Sequence, residues 1–230
     1  MIELAQTAAG LITGYAIASY IESYLHEHVS DAPQASVRSW RRFPRLLRPL
    51  INTNYSHHVI HHHRTFRANH VTQFRNQAEQ AKLHEALLAR GRHGRIIIGG
   101  DYANKLHAEG AFVFCLPAIL IGAAASLFLP WSFLLGLVPM LCLPPLLSYF
   151  VHPYLHMSFE DGQARAPRAL AALLRTGYMR AVYRNHFIHH EHGGTSNYNL
   201  LLGADVLRRR TIPPSETDYL EMKKIGIPVD

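Results

Sequence analysis

The sequence predicts an all-α, integral-membrane protein with about three transmembrane helices and a histidine-rich helical cap at one end of them. Three observations predict it. From Gly110 to Phe159 there is no Asp, Glu, Lys or Arg. Between Ala32 and Ala78 there are eight arginines and no acid. Most of the 17 histidines gather in four tight clusters beside the apolar runs. The mean hydropathy of −0.03 averages over this segregation and conceals it. The length of 230 residues suits a single domain, 1–230.

The elements follow in order. Residues 4–25 are the first candidate span; no basic n-region precedes them and no small-residue cleavage site follows, so they read as a retained helix. Residues 31–36 are a polar break, and 37–50 read as an amphipathic helix on the membrane surface. Asn54 or Ser56 is placed to cap the helix that follows. Residues 73–90 read as a charged helix ending near Gly91, and Arg95 to Gly100 as a short apolar strand or turn. These belong to a charged insertion, 73–110. The uncharged stretch is long enough for two crossings of about 20 residues each. It reads as an antiparallel hairpin, 111–129 and 132–151, turned at Leu129-Pro130-Trp131 and kinked at Pro139 and Pro144–Pro145. A loop over 161–166, a helix over 167–183 and an irregular tail, 208–230, complete the chain.

Charge sets the orientation. By the positive-inside rule the arginine-rich segment and the region after Glu160 face the cytoplasm. The histidine parts, 26–70 and 152–207, then share that side. A net charge of +7 also invites a nucleic-acid reading. Trp40, Phe43, Leu46 and Leu47 interleave with the arginines beside apolar spans, however, so anionic lipid headgroups are the better partner and no nucleic acid is expected. Cys115 and Cys142 lie in the hairpin with no CxxC spacing, which argues against thiolate-bound zinc or iron–sulfur clusters.

The histidines carry the chemistry. His58-x-x-His61-His62 and His186-x-x-His189-His190 repeat one spacing, and His152-x-x-x-His156 adds a pair. Positions i, i+3 and i+4 share a helix face, so each HxxHH turns three imidazoles toward one point. His26 opens the remaining cluster, which His28 or Asp31 completes. The candidate ligands are therefore His26, Asp31, His58, His61, His62, His152, His156, His186, His189 and His190. Nine imidazoles exceed one tetrahedral zinc and fit two ions with four or five ligands each. Neutral imidazole suits zinc, iron, copper and nickel. Glu22, Asp31 and Glu191 are the acids available to offset the metal charge. His84, His93 and His107 read as interfacial anchors, and His57, His63 and His70 as supporting or surface residues.

At these residues the chain resembles the fatty acid hydroxylase/sterol desaturase superfamily of integral-membrane di-metal oxygenases. The likeness runs from about Tyr20 to Leu207. It rests on Ile21-Glu22-x-x-Leu25-His26, His58-x-x-His61-His62, His152-x-x-x-His156 and Asn185-His186-x-x-His189-His190. Asn197-Tyr198-Asn199 and Gly203-Ala204-Asp205 are similar to the segment after the family's last cluster. One departure stands out: the family's first cluster is commonly His-x4-His, and position 31 is Asp here. The resemblance implies two iron ions, with zinc able to replace them on purification, and O2-dependent hydroxylation or desaturation of a lipid such as a fatty acyl chain or sterol. The chain carries no dinucleotide fingerprint and no CxxCH, so an external electron donor is implied: a ferredoxin, rubredoxin or cytochrome b5-like protein. Arg64, Arg67 and Arg75 offer such an acidic partner a basic face. A carotenoid-type hydroxylase and a zinc-dependent membrane hydrolase are the alternatives.

Overall fold

The first helix packs by its backbone. In the computed structural model, which describes residues 1–64 and 74–229, α1 (Ile2–Leu25) buries Gly10, Gly14, Ala18, Ser19, Glu22 and Ser23. Its larger apolar side chains, Ile2, Leu4, Leu11 and Ile12, point outward. Gly10 and Gly14 lie against a second helix around Gly136: a Cβ on Gly10 would strike the Phe133 carbonyl oxygen, and one on Gly136 the Thr7 carbonyl oxygen. Small residues four apart let two helix backbones approach closely, a packing common between helices in lipid. Gly136→Leu is expected to destabilise by about 1–3 kcal/mol or more through overpacking. The readout is the unfolding temperature in detergent, and an unchanged midpoint would contradict the close approach.

Beyond α1 the backbone makes one π-helical turn, His26–Ser30, in which the Asp31 N–H donates to the His26 carbonyl at 2.8 Å. The amphipathic helix expected over 37–50 is two short ones, α2 (Gln34–Trp40) and α3 (Arg48–Asn54), parted by turns around Pro44, which disfavours helix at the residue before it. A second π-helical stretch, Tyr55–His61, continues α3 without a break. Neither Asn54 nor Ser56 is a cap there. The buried Asn54 amide donates to the carbonyls of Ser30 (3.1 Å) and Ala32 (3.4 Å), tying the two π segments together.

The insertion holds α4 (Gln77–Leu88), capped by Asn76, and α5 (Arg92–Gly99). The three isoleucines of α5 suggested a strand or turn. They are helical because Gly94 lets α5 lie on the Leu87 carbonyl and Ile97 is buried against Ile60, Leu83 and Leu87. Arg64, read as part of a docking face, is engaged by Glu79 at 2.6 Å; Arg67 and His70 lie outside the described residues.

The hairpin is α6 (Ala108–Ser126), α7 (Trp131–Leu141) and α8 (Leu143–Phe150), turned at Leu127–Pro130 and bent at Cys142 between the prolines. Two helical runs, Ala108–Ser126 and Trp131–Phe150, are long and apolar enough to cross a membrane. Only 17% and 28% of their apolar windows are buried, whereas the core helix of a soluble protein is mostly buried. The expectation of three such helices is corrected to two. At 24 residues α1 is long enough, but the Gly, Ser, Thr and Glu residues of its packing face make it too polar. Thr7 bonds to Ser132, and Gly14 meets Leu137 and Met140, so α1 and α7 run parallel. Their C-terminal ends therefore lie together, and His26 and His152 with them.

Four-residue α9 (His152–Leu155) leads into α10 (Phe159–Arg165), a helix capped by Ser158 where a loop was expected. The helix expected over 167–183 divides into α11 (Arg168–Leu174) and α12 (Gly177–Glu191) at the Thr176 cap. After α13 (Ala204–Leu207), the expected irregular tail contains α14 (Glu216–Ile225), started by a Ser215/Asp218 capping box. Met222 of α14 is buried with Leu155, Leu174, Met179, Tyr183 and Phe187, the cluster that backs α12. Among the described residues every regular element is helical.

Candidate metal centre

Two adjacent groups of side chains converge at the joined helix ends. One is His61, His152, His156, His186 and His190; the other is His26, Asp31, His57, His62 and His189. Within each group the potential ligand atoms all lie within 4.8 Å of one another. Nine of the ten sequence-predicted residues are in these groups. His58 is not, and His57, assigned a supporting role from spacing, stands in its place.

The π-helical backbone explains the exchange. In Tyr55–His61 the His62 N–H donates to the His57 carbonyl at 3.0 Å, a bond five residues long. The shared face is then i, i+4, i+5, which selects His57, His61 and His62 rather than His58, His61 and His62. The same five-residue bond in the first π turn brings Asp31 beneath His26. His28 does not complete that cluster: it is half exposed, lies against Tyr24 and sits 3.7 Å from Glu27.

Nor does each HxxHH aim at one point. On α12 His186 and His190 enter the all-imidazole group and His189 the other; on the facing segment His61 enters the first group, and His57 and His62 the second. The two segments meet ring to ring, with His62 stacked on His190 at 4.3 Å and His61 against it at 4.8 Å.

Outer contacts fix which nitrogen is free. The Nδ1–H of His26 donates to the Tyr198 carbonyl (2.6 Å), that of His152 to Asn104 (2.7 Å), and that of His189 to Ser196 (2.7 Å). Each Nε2 is left as a bare lone pair aimed inward, the arrangement that metal-ligating histidines use. The bare His152 Nε2 lies 3.2 Å from His156 Nε2, which lies 2.8 Å from His186 Nε2. In the second group the bare Nε2 atoms of His26 and His189 face Asp31 Oδ2 at 3.3 and 3.4 Å. Asp31 Oδ2, His62 Nε2 and His189 Nε2 are buried without a hydrogen-bond partner. Crowded ring nitrogens beside a buried carboxylate fit cations, so each group could hold a metal ion.

The electrostatics agree. Burial lowers His57 to about 4 and His152 to about 3. Burial, then the neighbouring imidazoles, hold His61, His156, His186 and His190 well below the usual value, and burial does the same for His62 despite Asp31. Neutral imidazole is the ligating form. Burial alone would raise Asp31, but the imidazoles around it outweigh that and keep its carboxyl ionised well below the usual range. Burial would lower His26 too, and there the Asp31 carboxylate wins and raises it.

The remaining candidates have other roles. Glu22 accepts from Asn199 Nδ2 (3.2 Å), Leu200 N–H (3.1 Å) and Leu201 N–H (2.8 Å), pinning the segment after α12 to α1. Asp205 accepts from Ser23 (2.5 Å) and from the Asn199 N–H (2.7 Å) in the same clamp. Glu191 is exposed at the end of α12. His84 bonds to Tyr102, His63 to the Val59 carbonyl, and the buried His107 to Ser56 at 2.6 Å. The carbonyls of Tyr198, Ser196 and Asn104 had no signal in the sequence, since any residue supplies one. A cavity of about 50 Å³ abuts both groups, touching His26, His57 and His152 and walled by Leu106, Phe114 and Leu200.

His57→Ala is expected to remove a ligand and weaken metal binding more than His58→Ala, which leaves both groups complete. Metal content of the two variants decides it; the reverse order would mean that α-helical spacing holds in this segment.

Comparison with protein-family models, with curated proteins and with solved structures returned no match, so the centre stands on its own geometry.

Proposed function

We propose that this chain is an integral-membrane di-iron oxygenase that hydroxylates or desaturates a C–H bond of a lipid. The observation that carries the reading is the pair of adjacent five-ligand groups, nine imidazoles and one carboxylate, at the ends of helices long and apolar enough to span a bilayer. The order and spacing of the histidine motifs, and their likeness to the fatty acid hydroxylase/sterol desaturase pattern, support it further.

Iron held in the two groups would supply activation of O2 and oxidation of an unactivated C–H bond. The chain's own residues do the rest. Hydrogen bonds from His26, His152 and His189 to backbone carbonyls lock their rings, so the ligand set is formed before metal arrives. Leu106, Phe114 and Leu200 form the apolar part of the neighbouring cavity's wall, beside Glu22, Ser56 and Lys105. Substrate enters from the bilayer between the helices, and the arginine-rich segments support a centre on the cytoplasmic side. Electrons come from an external donor of the ferredoxin, rubredoxin or cytochrome b5 type.

The hydrolase alternative has less support. Glu22 lines the cavity but is engaged by three N–H donors that pin the segment after α12, Asp31 lies within a ligand group, and Glu191 is exposed beyond the site.

The test is protein purified in detergent from iron-supplemented cells, with iron counted and iron-57 Mössbauer spectra recorded, followed by turnover of a lipid extract under ¹⁸O2. A coupled iron pair and label in a lipid alcohol are expected. Product formed equally without O2 would overturn the oxygenase reading.

A further inference from the structure

Asp31 is the only anionic group among the ten ligand positions. We infer that it makes the two metal positions chemically unequal. The Asp31 position binds a divalent cation first and more tightly and favours the harder ion, and the five-imidazole position fills second. The inference rests on the two-metal reading above and adds to it an order of loading and a difference in ion preference.

Charge and donor chemistry carry it. A cation removed from water needs nearby opposite charge, and an uncompensated buried charge is costly. Five neutral imidazoles leave the whole charge of a divalent ion in place, while four imidazoles and a carboxylate offset half of it. Oxygen donors also suit hard cations, and imidazole suits zinc, copper, iron and nickel.

The carboxylate is set up for the task. Its Oδ2 faces His26 Nε2 and His189 Nε2 at 3.3 and 3.4 Å. Its Oδ1 accepts from the Nδ1–H groups of His57 (3.3 Å) and His58 (3.1 Å) and faces His62 Nε2 at 3.3 Å. His58 sits at the rim, its side chain one-third exposed, and belongs to neither ligand group. It is a positioning residue: it orients Asp31 and touches no ion.

The experiment titrates metal-free, full-length protein in detergent with Co²⁺, follows visible absorption, and counts bound metal by mass spectrometry. Two equivalents are expected, the first at least about tenfold tighter than the second. Asp31→Asn should lose the tight phase and retain about one ion, while His156→Ala should keep the tight phase. Asp31→His should restore two ions of nearly equal affinity. His58→Gln should weaken the first phase alone, by roughly 10–100-fold, the usual cost of removing a ligand's outer partner. Far-ultraviolet circular dichroism checks that each variant is folded. Equal affinities in the wild type, or both phases surviving Asp31→Asn, would overturn the inference. A wild type that binds one Co²⁺ or none would overturn the two-metal reading itself.

Discussion

Removing the metal is expected to destabilise the folded chain by about 4 kcal/mol for each ion, if each had been present at roughly a thousandfold excess over its Kd. The stabilisation is large because the ligands belong to the folded state alone: they arrive from four separate stretches, at 26–31, 57–62, 152–156 and 186–190. Without cations, the facing Nε2 atoms of His152, His156 and His186 lie 2.8–3.2 Å apart, and Asp31 keeps its charge within a buried ring of imidazoles. The measurement is thermal unfolding in detergent before and after chelation, and after iron is restored. A midpoint unmoved by chelation would mean that the groups do not hold metal.

Acid is expected to act in the same direction. In the unfolded chain histidine takes up a proton near pH 6.5. Folded His57 waits until about pH 4 and His152 until about pH 3, and His61, His62, His156, His186 and His190 are shifted the same way. Below about pH 6.5 the unfolded state therefore binds more protons than the folded state, and stability falls as pH falls, by up to about 1.4 kcal/mol per pH unit for each such group. His26 and His58, which are raised, contribute in the opposite sense, with stability present below pH 6.5 and lost as pH rises. Two groups against seven leave the balance unchanged. Metal release and a falling unfolding midpoint between pH 6.5 and 4 are the expected results. A midpoint flat across that window would contradict the burial of these rings.

Much of this was legible in the sequence, for identifiable reasons. A stretch of fifty uncharged residues has few readings, and α6 to α8 lie where it put them. Spacing placed His186, His189 and His190 on one helix because α12 is regular. It misplaced His58 because hydrophobic and ligand periodicity assume an α-helical turn, and nothing in Tyr55–His61 announces a π-helical one. The same ambiguity left His28 and Asp31 open. The Ser215-x-x-Asp218 box is a readable start for α14, whereas the prolines around it point to an irregular tail. The helical state of α5 was not readable, since it depends on Gly94 meeting a carbonyl from another helix.

Both ligand groups take members from α12: His186 and His190 in one, His189 in the other. Neither group can be complete until His190 has left the ribosome. Any ion they hold is therefore taken up after α12 has emerged, and a nascent chain stalled before Asn185 would present the histidines of 26–62 and 152–156 with neither group closed.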